Sequence, residues 1–236
     1  MQIARDNVVR NCPETVVIDE LLDLDDRRIL ELGCGKAELT RLIAGGGLGR
    51  RVTALEVDEV QHNKNLAITD LANVSFIYGG AEAIPADDEH YDVVLMFKSL
   101  HHVPMDKLDQ ALQEIHRVLV PGGVAYISEP VFAGDFNDIM RLFHDEQAVR
   151  IAAFEAMQRA VDRGLFELIT EEFFNSNIHF RDFEEFEGGV LGATHTHHEL
   201  DEATFNTVRK MFNAHMTEHG ADFTAPMRVD LLQKPE

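Results

Sequence analysis

Five apolar runs of strand length, at residues 28–32, 51–57, 74–78, 91–97 and 124–128, punctuate the first half of the chain, and segments of helical period lie between them. Strands that are apolar almost throughout have no face to give to water. Both sides of their sheet must therefore be covered, and helices alternating with the strands supply that cover through parallel crossover units. The fold class expected is α/β, a doubly wound, mostly parallel sheet. One covering helix is expected over residues 106–119, with Asp106 as N-cap after Pro104 and Leu108, Ala111, Leu112, Ile115 and Val118 on one face. Residues 121–123, "PGG", should then turn the chain into the next strand. The second half is less regular: helical spacing over 134–164, a strand around 178–186, a helix over 201–219 and a closing strand over 228–232. That makes seven strands.

The chain of 236 residues is long enough to bury one full core. Its 42 acidic residues against 21 basic ones leave a formal charge of −21, with no long Lys/Arg run. Such a field repels phosphate backbones and anionic lipid surfaces, so neither nucleic acid nor membrane is expected as a partner. Cys12 and Cys34 are too few for a disulfide framework and are not spaced as a metal knuckle. The opening "MQIARDNVVRNC" lacks the basic-then-apolar layout of a secretory signal, and a cytoplasmic location is expected.

The stretch "ILELGCGKAELTRL" names the ligand class. A strand ends in Leu32, Gly33, Cys34 and Gly35 make a bare turn, and a helix resumes near Lys36. In doubly wound sheets ligands bind at the carboxyl ends of the strands, where glycine lets backbone approach them. A dinucleotide fingerprint would need a third glycine where Glu38 stands, and a carboxylate in that first helical turn repels a pyrophosphate. No phosphate-loop G-K-S/T follows either. Glu56, at the end of the second strand, suits a ribose diol, and Glu31, just before the turn, suits an amino group. A phosphate-free, cationic nucleoside with an amino acid tail matches both acids, and S-adenosyl-L-methionine is such a ligand.

With these residues in view the sequence resembles the class I S-adenosylmethionine-dependent methyltransferases over most of residues 28–130. "LELGCGKAELT" is similar to the family's first motif and "VTALEVDEVQ" to its second. "VSFIYGGAEAIP" resembles the segment flanking the adenine, "YDVVLMFKSLHHV" the motif after the fourth strand, and "EIHRVLVPGGVAYISEP" the helix and fifth strand. The resemblance implies a seven-stranded Rossmann-like sheet with its last strand antiparallel. It implies one domain over 1–236, with a cofactor core near 28–130 and a substrate-pocket and closing segment near 131–236. Cofactor contacts carried over are Glu31, Gly33, Cys34, Gly35, Glu56, Val57, Gly80, Ala81, Glu82, Phe97, Lys98 and Ser99. Ala37 stands where the family usually has a third glycine. Gly80 stands where many members have an Asp at the adenine, leaving Ala81 and Glu82 as substitutes.

Methyl transfer from a sulfonium has a good leaving group, so alignment and desolvation can carry it, with a base needed only for a protonated acceptor. His101 and His102 are the candidate bases, and Glu129 lines the substrate pocket at the end of the fifth strand. In "GATHTHHEL", His195 and His197 are assigned to that pocket; two imidazoles beside Glu199 would suit Zn or Fe, but no metal is expected. The expected function is methyl transfer to a small-molecule acceptor. The alternative is a regulatory or interaction protein that binds the cofactor without turnover.

Overall fold

The computed structural model describes residues 1–191 and 200–236. In chain order, helix α1 is Glu14–Leu21, strand β1 Arg28–Leu32, α2 Glu38–Gly45, β2 Arg51–Glu56, α3 Glu59–Asn65, β3 Val74–Tyr78 and β4 Tyr91–Phe97. Two 3-10 turns, Leu100–His102 and Met105–Lys107, lead into α4 Leu108–Val118, which runs directly into β5 Leu119–Pro130. Then follow α5 Asp135–Met140, α6 Gln147–Asp162, β6 Glu167–Phe180, the short α7 Phe183–Phe186, α8 Glu202–Asn213, the two-residue β7 Met216–Thr217 and β8 Gly220–Gln233.

The strands form one sheet in the order β3-β2-β1-β4-β5-β8-β6, with β7 paired to β8. β1 to β5 pair in parallel, whereas β8 runs antiparallel to both β5 and β6. The mostly parallel α/β sheet with an antiparallel closing strand is as expected, with β7 added. Successive residues of the central strands feed opposite cores. Leu30, Val94 and Met96 pack with Leu112, Ile115 and Met157 of α4 and α6, while Ile29, Val93 and Leu95 pack with Val17, Ile18 and Ile43 of α1 and α2. That is the physical meaning of the continuous apolar runs.

Several boundaries differ from the sequence reading. Residues 121–123 do not close a helix. They make an irregularity inside β5, where the register against β4 jumps from Tyr91↔Leu119 to Val93↔Val124 and Gly122 takes φ +74°. Asp106 lies in a 3-10 turn and the N-cap of α4 is Lys107. The single helix expected over 134–164 is two, α5 and α6, separated at residues 141–146. Of the strand expected around 178–186, only residues 178–180 are strand, the end of a far longer β6 whose 14 residues pair along β8, while Phe183–Phe186 form α7. This β6/β8 ribbon carries a third core of Ile139, Phe183, Phe186, Val208, Phe212 and Phe223 under α5, α7 and α8.

Candidate functional site

The turn after β1 is shaped by close approach. Gly33 has φ +73°, and a Cβ there would stand 2.8 Å from Ser99 Cβ. Ser99 in turn donates its hydroxyl to the Leu32 carbonyl at 2.8 Å, tying the end of β4 to the turn. Gly35, at φ +53°, has open space where a side chain would project. Ala37 also takes a left-handed conformation, φ 60°, as the N-cap of α2. The turn is therefore bare on its outer side, which suits a ligand lying on backbone.

The two acids differ in what they do. Glu56 accepts from Gly35 N at 2.7 Å through Oε2 and from Val57 N and Asp58 N, both at 2.9 Å, through Oε1. A carboxylate has about four acceptor positions, so three are spent on backbone and room remains for one further donor. The sequence reading gave Glu56 two bonds to a ribose diol; in the structure it also fastens the glycine turn to the end of β2. Glu31 is the reverse case. It is 2 % exposed, and among the described residues its Oε2 has no hydrogen-bond partner. Burial, opposed by the Thr40 hydroxyl and reinforced by the neighbouring Glu56 charge, pushes its pKa up to about 7. A buried carboxylate with one unpartnered oxygen behind an open glycine turn is what a cationic ligand requires, so these residues fit a phosphate-free nucleoside bearing an ammonium group.

Cys34 is buried, with its thiol pushed up to about 12 by burial and then by Glu31 and Glu56, so it is packing rather than nucleophile. Asn65 of α3 donates to the Gly35 carbonyl at 2.8 Å, a contact that sequence reasoning missed. Val57 is exposed, Ala81 is buried, and the Glu82 carboxylate lies against Gly80. Phe97 closes β4 from the core side.

Beyond Ser99 the chain opens a cavity of about 410 Å³ whose lining includes Lys98, His101, His102, Phe136, Met140 and Ile178. His101 is buried at its back. Its Nδ1 bonds Glu129 Oε2, and Glu129 Oε1 accepts from Leu100 N at 2.9 Å. Burial works against the imidazolium, but Glu129 and then Glu146 outweigh it, and the His101 pKa is raised to about 9. The imidazole is thus protonated near neutral pH, which argues against the base role expected for it. His102, exposed to the cavity, has its ring 4.1 Å from that of His101. Glu129 lies behind His101 and is not among the residues lining the cavity. His195 and His197 lie outside the described residues.

Sequence reasoning missed a cluster opposite the histidine pair. Glu146 Oε2 accepts from Arg150 at 2.6 Å, Arg150 also reaches Asn137 Oδ1 at 3.1 Å, and His144 Nε2 stands 2.9 Å from Glu146 Oε1. Burial is again the largest influence on Glu146, yet His101 and then Arg150 hold its carboxyl well below the ordinary range. The i, i+4 spacing of Glu146 and Arg150 was visible in the sequence, but reading 134–164 as one helix hid the break at 141–146 that turns Glu146 to the cavity. On the other side of the sheet Glu14, from α1, accepts from Tyr126 Oη at 2.6 Å and Ser128 Oγ at 3.0 Å.

The sheet order is that of the Rossmann-like methyltransferase fold, and the open glycine turn, an acid at each of the first two strand ends and a cavity past the fourth resemble a class I S-adenosylmethionine-dependent methyltransferase site. Residues 29–123 match the family model described as a methyltransferase domain. A fatty-acid O-methyltransferase of Mycolicibacterium smegmatis is 32 % identical over 101 residues, which are 43 % of this chain and 36 % of that protein. A ubiquinone/menaquinone biosynthesis C-methyltransferase of Shewanella oneidensis is 30 % identical over 129 residues, 52 % of this chain and 50 % of its own. The chain thus spans half or less of the length of these curated relatives. The YcgJ protein of Bacillus, a solved structure, superposes with a TM-score of 0.64 at 16 % identity, over 94 % of this chain and 97 % of that one. At that identity the likeness is one of fold.

Proposed function

We propose that this chain is an S-adenosylmethionine-dependent methyltransferase acting on a small-molecule acceptor, and that residues 1–236 work as one domain with its cofactor core near 28–130. The observation that carries the reading is the meeting of two features at Ser99: the open glycine turn backed by the unpartnered Oε2 of Glu31, and the cavity that begins at Lys98. S-adenosylmethionine, when bound, supplies a methyl group on a sulfonium, which leaves the protein to align the acceptor and exclude water.

Glu31 takes the ammonium of the ligand, and its Oε2 then has the partner it lacks. Glu56 offers its remaining acceptor position to a ribose hydroxyl while keeping the turn in place. The cavity walls at Phe136, Met140, Ile178 and Met227 exclude water. A cavity of about 410 Å³ suits a small molecule better than a polymer. Apolar walls with imidazoles at one end favour an acceptor with an apolar body and a polar reacting group, consistent with relatives named for fatty acids and quinone biosynthesis. Any proton from the acceptor goes to His102 or to solvent, since His101 already carries one. The charge of −21 disfavours nucleic acid as the partner.

The test is incubation of the chain with S-adenosylmethionine and a metabolite pool, following the homocysteine product. Formation of that product is the expected result. In calorimetry Glu56→Ala should weaken cofactor binding by about 1.5–3 kcal/mol, the range for a hydrogen bond to a charged group. Tight binding without turnover on any pool would favour the regulatory alternative, and no binding at all would remove both readings.

A further inference from the structure

We propose that His101, His102 and Glu146 form a binding site for a first-row divalent cation, of the zinc or cobalt kind, at the inner end of the acceptor cavity. One ligand atom from each of the three lies within 4.8 Å of the others. His101 Nε2 is 3.6 Å from Glu146 Oε1, and a further imidazole nitrogen, His144 Nε2, stands 2.9 Å from the same oxygen. An ion with bonds of about 2.0–2.2 Å holds adjacent ligand atoms roughly 3–3.5 Å apart. The His101–Glu146 separation is already close to that, and a His102 nitrogen lies within 4.8 Å of both.

What surrounds these atoms is a second, independent observation. The Nδ1 side of His101 is engaged by Glu129, itself fixed by Leu100 N at 2.9 Å, which directs Nε2 toward Glu146. A carboxylate behind a histidine in this way is the usual orienting partner of a metal-bound imidazole. Glu146 is oriented likewise: Arg150 holds its Oε2 at 2.6 Å and leaves Oε1 toward the histidines. Both groups are thus braced from outside and converge inward. Two imidazoles and one carboxylate are the donor set of zinc, iron and cobalt sites that keep open positions, whereas magnesium and calcium prefer oxygen donors throughout.

The positions left open face the cavity, so an acceptor oxygen entering it could bind the ion and lose its proton to solvent more readily. The site departs from the sequence expectation of no metal, and it does not depend on methyl transfer.

The full chain, stripped by chelator and dialysed, would be titrated with Co²⁺ and with Zn²⁺. Expected are one ion per chain and a visible Co²⁺ absorption band of a nitrogen-containing site, with Mg²⁺ failing to compete. His102→Ala and Glu146→Gln should each weaken Co²⁺ binding by about tenfold or more, and the orienting Glu129→Gln by about 10–100-fold. His102 is exposed, so its replacement leaves folding intact and keeps the test sound if a buried variant unfolds. Absence of stoichiometric Co²⁺ binding would overturn the proposal. So would binding that His102→Ala leaves unchanged, since the ion would then sit elsewhere. Metal binding without methyl transfer on the same sample would keep this site and reject the reading above. Methyl transfer in a chain that binds no Co²⁺ would do the opposite.

Discussion

Glu31 is destabilising in the unliganded chain, and under the proposed function that is its use. Its folded pKa of about 7 lies above the ordinary 4.5, so between those values the folded chain holds a proton that the unfolded chain has lost. Its contribution to stability therefore falls as pH rises from about 4.5 to 7 and levels off above. A ligand ammonium needs the ionised form, which gives the opposite trend for binding. Cofactor affinity should drop about tenfold per pH unit below 7, since one unit of pKa corresponds to 1.36 kcal/mol. Calorimetry at several pH values would check it, and Glu31→Gln should flatten the profile. A wild-type profile as flat as the variant's would place the ammonium elsewhere. Glu56 behaves differently because backbone amides already hold its charge: its replacement should loosen the turn as well as the ligand, lowering the melting temperature of the unliganded protein.

At the scale of elements, α3 is fixed beside the site by a specific polar anchor. Asp58 caps α3 by accepting from Val60 N at 2.8 Å and Gln61 N at 3.1 Å. Asp58→Ala should cost about 1 kcal/mol in urea denaturation, the usual loss for an N-cap. α3 also carries Asn65, so fraying there should reach the Gly35 carbonyl. The break between α5 and α6 matters more for chemistry. Helical spacing on both sides made 134–164 look continuous, yet the interruption at 141–146 is what brings His144 and Glu146 to the cavity. The β6/β8 ribbon holds its own core: Phe212 is fully buried, with ring centroids 5.1 Å from Phe186, 5.3 Å from Phe183 and 5.4 Å from Phe223. Phe212→Ala should lose about 3–5 kcal/mol. A loss under about 1 kcal/mol in equilibrium denaturation would mean that the cap is not cooperative with the rest.

Over the whole molecule the dominant fact is charge. With −21 formal charges the folded chain repels itself, and raising salt from about 0.01 M to 0.15 M shortens the screening length from about 30 Å to 8 Å. The melting temperature should rise with added salt, by on the order of 2–4 °C for each kcal/mol of repulsion removed; a melting temperature that falls would show that surface ion pairs outweigh the net field. The sequence by itself determined the parallel α/β sheet, the glycine turn and the two acids beside it. These are written in local periodicity and in residues adjacent along the chain, where backbone sterics and burial act over a few positions. Tertiary structure alone decided that β8 inserts between β5 and β6, that Glu14 bonds Tyr126, and that Glu146 comes to within 3.6 Å of His101. Such pairings join residues far apart in sequence, and their partners are chosen by the packing of whole elements, which no short-range pattern encodes.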